Sequence, residues 1–82
     1  MVTKKEIEQL LTDIVEKVKT ERKKRNISQL KLATILGFQS PNYVAKIETR
    51  KDNASYNITH LYIISKEFDM ELFEFFPQKN RE

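Results

Sequence analysis

The sequence contains no cysteine, one glycine, two prolines and one histidine among its 82 residues. The lack of cysteine excludes disulfides and thiolate metal ligands, which fits a reducing compartment. A single glycine excludes a glycine-rich phosphate-binding loop. The one histidine, His60, has no second histidine or spaced carboxylate pair to join it, so we expect a surface side chain. The sequence therefore predicts that the protein is not an enzyme and uses no metal or other cofactor.

Long apolar runs are also missing. No stretch approaches the roughly 18 apolar residues of a membrane span, and the amino-terminal MVTKKEIEQLL lacks the apolar core of a signal peptide. The chain has the length of one domain. We therefore expect a single domain over residues 1–82, with a tail at 77–82, in a cytoplasmic protein that does not contact membranes.

The net charge of +3 is unevenly divided along the chain. Residues 1–51 contain twelve Lys and Arg against six Asp and Glu, whereas residues 52–82 contain three against six. A basic half suits a polyanion such as nucleic acid, because neutralised phosphates release their condensed counterions. The alternative is an ordinary solvated charged surface.

Scarce glycine and proline, with no sustained alternation of apolar and polar residues, predict an all-α chain. Residues 4–25 form one amphipathic helix, with Thr3 as the N-cap and Glu6 completing a capping box. Four more helices are expected. The second is ISQLKLATILG, capped by Ser28 and ended by Gly37, and the third is residues 40–48, with Ser40 as cap and Pro41 at the first helical position. The fourth is ITHLYIISKEF, capped by Asn57, and the last is ELFEFF, before Pro77. The predicted core is Ile14, Val18, Leu32, Leu36, Val44, Ile47, Leu61, Ile64, Phe68 and Phe75.

The second and third predicted helices are short and are joined by residues 37–39, as in a helix-turn-helix. On the third helix, Val44 and Ile47 share one side at about 100° per residue. Asn42 and Lys46 lie one turn apart on the opposite side. One face of the third helix is thus expected to pack against the core, and the other is expected to be exposed.

In these residues the chain resembles the phage-repressor (Cro-like, XRE) helix-turn-helix family. Its members usually contain R-x-x-R-G-x-S-Q-x-x-L-A, a short turn and then I-S-x-I-E. The matching positions are Arg22, Arg25, Ser28, Gln29, Leu32, Ala33, Gly37, Val44, Ile47 and Glu48, followed by Leu61, Ile64, Ser65, Phe68, Leu72, Phe75 and Phe76. The resemblance implies a five-helix lambda-repressor-like bundle with an extended first helix.

Three departures from the family pattern affect the site. The turn after Gly37 has one extra residue, and Asn26 replaces the usual glycine after the first helix. Arg50 stands where the family usually has glycine. We therefore expect the third helix to be closed by Asp52 or Asn53.

The resemblance also implies a sequence-specific, repressor-like transcriptional regulator that reads the major groove of double-stranded DNA with helix 40–48. Gln29 and the amino terminus of the second helix would meet a phosphate. Asn42 would pair with adenine and Lys46 with guanine. The expected DNA-binding residues are Gln29, Ser40, Asn42, Tyr43, Lys46, Arg50 and Lys51.

Several of these residues have structural alternatives. Ser40 is better explained as a helix cap, with a phosphate contact second. The Tyr43 ring would otherwise pack beside the helix. In the family, the positions of Arg22 and Glu48 form a pair that ties the first helix to the recognition helix, so both are expected to be structural. The rest of the run 22–25 is expected to be solvated and to attract DNA over distance.

Surplus apolar residues suggest a protein partner. Tyr62, Ile63 and Phe73 point away from the predicted core. The early turns of the first helix, which hold Ile7, Leu10 and Leu11, extend past it. A homodimer would bury them, while a first helix folded over the fifth would cover them in a monomer. A second hypothesis is an antitoxin-like module that binds a toxin and has secondary DNA binding, favoured if Leu30, Ile35, Tyr62 and Phe73 cluster. A third is a structural bundle with no DNA role.

Overall fold

A computed structural model describes residues 1–78, so the end of the predicted tail, residues 79–82, lies outside the described residues. The prediction of an all-α chain is confirmed, and residues 1–78 contain no strand. The predicted fifth helix is a 3-10 turn. The elements are α1 (Lys4–Lys24), α2 (Gln29–Ile35), α3 (Asn42–Glu48), a first 3-10 turn (Lys51–Asn53), α4 (Ile58–Glu67) and a second 3-10 turn (Leu72–Phe75).

Three helices begin at the polar caps that the sequence predicts. Thr3 accepts a hydrogen bond from the Glu6 backbone N–H, and the Glu6 carboxylate accepts one from the Thr3 backbone in return. Ser28 caps α2 through its hydroxyl, and Asn57 caps α4 through its side-chain oxygen. Each cap satisfies a backbone N–H that the first helical turn leaves unpaired.

Both α1 and α2 end at residues that tolerate the left-handed conformation. Asn26, with φ of 57°, follows α1 in place of the family's usual glycine. Gly37, with φ of 95°, follows α2, and the Phe38 N–H reaches back to the Ala33 carbonyl at 2.9 Å. This is the pattern of a Schellman motif, which closes a helix and turns the chain away from its axis.

The start of α3 differs from the prediction by about one residue. The carbonyl of Pro41 accepts the first helical hydrogen bond, from the Ala45 N–H at 2.9 Å, so Pro41 occupies the cap position and not the first helical position. The Ser40 hydroxyl accepts from the Asn42 N–H at 3.3 Å. The longer turn after Gly37 thus places the serine one residue before the cap, where it supports the helix start less directly.

The core lies where α1, α2, α3 and α4 meet. All ten predicted core residues are buried. Val15 and Tyr56 are buried as well and were not predicted. Ile7 and Leu10, in the first turns of α1, remain exposed, so the amino-terminal part of that helix extends past the core.

Candidate nucleic-acid interface

The two sides of α3 have opposite environments. Val44 and Ile47 are almost completely buried, whereas Asn42 and Lys46 are exposed. Together with α2 and the turn at Gly37, the helix forms a two-helix unit whose second member has one anchored face and one open face. The open face carries an amide and an ammonium group one helical turn apart, and both groups suit hydrogen bonding to base edges.

The anchored face is completed by a buried ion pair. The Nε and Nη2 atoms of Arg22 donate to the two oxygens of Glu48 at 2.8 and 3.0 Å. A third guanidinium nitrogen donates to the Ile27 carbonyl at 2.7 Å. The structure thus brings Arg22 and Glu48 together, and their fork-shaped contact fixes the end of α3 against the end of α1.

Gln29, expected at a phosphate, is joined to the same carboxylate. Its side-chain nitrogen donates to Glu48 Oε1 at 2.9 Å, and the residue is half-buried. Glu48 therefore receives hydrogen bonds from both α1 and α2. The contact fixes the Gln29 side chain at the amino-terminal end of α2.

Tyr43 packs into an aromatic cluster beside α3. Its ring stacks on Phe38 with centroids 4.3 Å apart, and it meets Tyr56 edge-on. Its hydroxyl lies 2.8 Å from Nδ1 of His60, and burial raises the pKa of Tyr43. His60, expected at the surface, is half-buried by this contact. The cluster ties the start of α3 to the first turn of α4.

Tyr56, like Val15, is a buried residue that the sequence did not predict, because it ends the polar stretch TRKDNASY. Only 6% of its surface is exposed. Its hydroxyl has no hydrogen-bond partner among residues 1–78, and burial raises the pKa of the phenol. The aromatic ring closes the core beneath the loop between α3 and α4. The only sequence signal for its burial is an aromatic residue within an otherwise polar segment.

Lys46, Lys51 and Asn42 line one shallow surface depression at the end of α3. Asp52 also lines it, with a carboxylate oxygen 3.9 Å from Lys46 Nζ. Both side chains of this pair are more than half exposed, so solvent weakens their attraction. The depression thus has two exposed cationic groups, one amide and one acidic group at its edge.

The basic run 22–25 divides into structural and solvated residues. Arg25 bonds the Glu21 carboxylate at 2.7 Å and the Phe68 carbonyl at 2.8 Å, and it lies over the Phe68 ring. This guanidinium, with the ammonium groups of Lys17 and Lys24, lowers the pKa of Glu21 to about 2. Lys23 and Lys24 are exposed. Arg25, like Arg22, therefore holds the fold together.

Comparison with known proteins agrees with this geometry. A family model described as helix-turn-helix matches residues 18–75, which is well over half of the chain. The chain belongs to the Cro-like, XRE-type helix-turn-helix family. This is a family of DNA-binding regulator domains and not of enzymes. Neither the curated proteins nor the solved structures gave a significant match.

This helix-turn-helix domain departs from its family pattern most clearly at Arg50. With φ of 55°, Arg50 adopts the left-handed conformation of the usual glycine, and its N–H donates to the Ile47 carbonyl at 2.9 Å. The expectation that Asp52 or Asn53 closes α3 is therefore wrong. The Arg50 guanidinium donates hydrogen bonds to Glu8, Thr12 and backbone carbonyls, and only 14% of the Arg50 side chain is exposed. A phosphate would have to displace these partners.

Two further observations concern the described part of the helix-turn-helix chain. Between residues 1 and 78, no helix has both the length and the apolar character needed to cross a lipid bilayer. The same residues hold no group of three acidic, histidine or cysteine side chains placed to bind a metal ion.

Proposed function

We propose that the protein is a repressor-like transcriptional regulator that binds double-stranded DNA sequence-specifically by inserting α3 into the major groove. The observation that carries the proposal is the division of α3 into a buried face with Val44 and Ile47 and an open face with Asn42 and Lys46. A helix anchored on one side holds its exposed groups in fixed directions. Base recognition requires such fixed donors and acceptors.

The proposed base contacts are made by the amide of Asn42 and the ammonium of Lys46. An asparagine amide pairs with N6 and N7 of adenine, and a lysine donates to O6 and N7 of guanine. Tyr43 has less freedom, because its hydroxyl lies against His60 and its ring against Phe38. We propose that Tyr43 mainly orients α3, with the edge of its ring beside the major groove.

The proposed phosphate contacts surround the base-reading face. Lys51 is exposed and lines the same depression as Lys46. Gln29 lies at the start of α2, where unpaired backbone N–H groups favour an anion. Ser40, adjacent to the start of α3, is the third candidate. We leave Arg50 out of this set because its guanidinium is occupied within the protein.

We further propose that two copies bind a pseudo-palindromic operator in the cytoplasm. Tyr62 and Phe73 are 52% and 61% exposed, and Ile7 is 47% exposed. Burial of such side chains favours association, and a two-fold dimer would present two copies of α3 to successive major grooves. Sedimentation over a range of concentrations tests this step. A monomer at all concentrations, also in the presence of DNA, would contradict it.

Selection of binding sites from random duplex DNA, followed by a salt titration, tests the main proposal. We expect an enriched sequence and an affinity that falls steeply with salt. Asn42→Ala and Lys46→Ala should each weaken binding to the selected site by about fivefold to a hundredfold and relax the sequence preference. Lys66→Ala, in the acidic half, makes the same charge change as Lys46→Ala and should have little effect.

The same variants distinguish the antitoxin-like alternative. Of the apolar residues on which that hypothesis depends, Leu30, Tyr62 and Phe73 are exposed, whereas Ile35 is half-buried against the core. A module that binds a toxin through these residues should keep its partner after Asn42 and Lys46 are changed. No enriched DNA sequence, or no effect of salt on affinity, would overturn the regulator proposal.

A further inference from the structure

The first turns of α1 lie outside the residues that match the family, yet they contact the loop after the recognition helix. The match begins at residue 18. Nη2 of Arg50 lies 2.6 Å from Glu8 Oε1, and Nη1 donates to Thr12 Oγ1 at 2.8 Å. The same nitrogen is 3.3 Å from the Glu8 carbonyl. The extension of α1 is thus joined to the end of α3 through one side chain.

We propose that Arg50 is a positioning residue: it uses the amino-terminal turns of α1 to hold the loop that carries Lys51 in its DNA-binding geometry. The inference rests on the proposed function, and it assigns to the extension of α1 a role in setting DNA affinity. Arg50 itself makes no contact with DNA in this account. Its effect passes to the phosphate through Lys51.

The contacts of Arg50 with Glu8 and Thr12, called the tether below, are needed because of the backbone of this loop. Arg50, Asp52 and Asn53 all have positive φ, at 55°, 54° and 60°. Residues with a Cβ atom adopt this region at a conformational cost, and they persist there when surrounding contacts determine the geometry. Nε of Arg50 also donates to the Ala54 carbonyl at 2.7 Å. The guanidinium therefore holds both ends of the strained segment.

The position of Lys51 connects the tether to DNA binding. Lys51 lies between left-handed Arg50 and left-handed Asp52, and it lines the same depression as Asn42 and Lys46. If the tether is cut, the loop gains other conformations, and Lys51 must be ordered again when DNA binds. That ordering lowers affinity even when the lysine itself is unchanged.

An electrostatic effect and a loss of positioning predict opposite changes in DNA affinity when Glu8 is replaced. Glu8→Ala removes a negative charge and leaves Arg50 without its carboxylate, so simple electrostatics predicts tighter DNA binding. Loss of positioning predicts weaker binding. Thr12→Val removes one hydrogen-bond acceptor with no change in charge. Glu16→Ala, at an exposed position of the same helix, makes the charge change without touching the tether.

The experiment measures affinity for the selected duplex at several salt concentrations, with circular dichroism to verify that each variant is folded. We expect Glu8→Ala and Thr12→Val to bind about threefold to tenfold more weakly, and Glu16→Ala to bind equally or more tightly. Lys51→Ala should reduce the slope of log affinity against log salt concentration by about one, because one phosphate contact is lost. In the Lys51→Ala background, Glu8→Ala should then cause little further loss, because the group that it positions is gone.

The outcomes separate the two proposals. If the wild-type protein binds its selected site but Glu8→Ala binds it equally or more tightly, the positioning role is overturned and the proposed function stands. The same conclusion follows if Glu8→Ala lowers DNA affinity by the same factor in the wild-type protein and in Lys51→Ala. The tether would then act on the fold in general and not through Lys51. If the wild-type protein shows no salt-dependent DNA binding, both proposals are overturned.

Discussion

Arg22 and Glu48, which lie 26 positions apart in the sequence, form a two-pronged ion pair with 8% and 3% of their side chains exposed. Removing one member leaves the other charged group buried without its partner. Such a loss typically costs about 3 to 5 kcal/mol, although replacing both members by apolar residues costs far less. The pair therefore makes the position of α3 dependent on α1.

Glu48→Ala should lower the free energy of unfolding by about 3 to 5 kcal/mol, which corresponds to a fall in Tm of more than about 12 °C. Thermal unfolding followed by circular dichroism measures it. Glu48→Gln keeps the shape of the side chain and one acceptor oxygen, so it should lower the free energy of unfolding less. It replaces the alanine variant in the measurement if that variant does not fold. Exposed Glu16→Ala is the matched control. An unchanged Tm for Glu48→Ala would rule out a stabilising pair.

Tyr56→Phe should leave the stability unchanged or raise it by about 1 kcal/mol. The hydroxyl is buried with no partner among residues 1–78, so its removal relieves a desolvation cost while the ring continues to fill the core. Denaturant unfolding at equilibrium measures the change. Tyr43→Phe is the control, because that hydroxyl meets His60 and its removal should be destabilising. A loss above about 1 kcal/mol for Tyr56→Phe would mean that its hydroxyl is hydrogen-bonded.

The features predicted correctly from the sequence depend on local signals. Thr3, Ser28 and Asn57 cap helices through bonds to residues three positions away, so the chemistry of each cap is visible in a short segment. Gly37 ends α2 for a similar local reason. The two faces of α3 follow from its period, which required only the identities of residues 42–48.

The features that sequence reasoning missed depend on contacts between distant residues. The contact of Arg50 with Glu8 was not predicted, and the sequence placed Arg50 at a phosphate only because it follows α3. Glu8 lies 42 positions away, and the left-handed backbone of Arg50 is unusual for arginine. Tyr56 looked like part of a polar loop, and only the closure of the core against α3 buries it. No local pattern specifies either contact.

Glu21→Gln should lower stability near neutral pH by about 1 to 2 kcal/mol, and the difference from wild type should disappear in acid. The Arg25 guanidinium, with Lys17 and Lys24, lowers the pKa of Glu21 from 4.5 to about 2. The unfolded chain therefore binds this proton more readily than the folded protein. The stabilisation is fully present above a pH of about 5 and is lost as the pH falls toward 2.

Denaturant unfolding of wild type and Glu21→Gln between about pH 2 and pH 7 measures this dependence. Glu16→Gln, which changes an exposed carboxylate on the same helix, is the control and should give a nearly constant difference. A constant difference for Glu21→Gln across the range would contradict the lowered pKa.

Asp52→Asn should tighten binding to the selected DNA site by about twofold to fivefold at low salt, with a smaller gain at high salt. The Asp52 carboxylate is 3.9 Å from Lys46 Nζ and 73% of the side chain is exposed. It therefore repels phosphates and competes for the ammonium group proposed to reach guanine. Asparagine tolerates the left-handed backbone at this position, so the loop should keep its shape.

Asp69→Asn is the matched control because Asp69 is also exposed and left-handed, with φ of 56°, but follows α4 in the acidic half of the chain. It makes the same change in net charge. Equal gains for the two variants would indicate that net charge alone sets the affinity. A gain confined to Asp52→Asn at about 0.1 to 0.15 M salt would place the carboxylate near bound DNA, because screening at that salt limits the reach of a single exposed charge to about 8 to 10 Å.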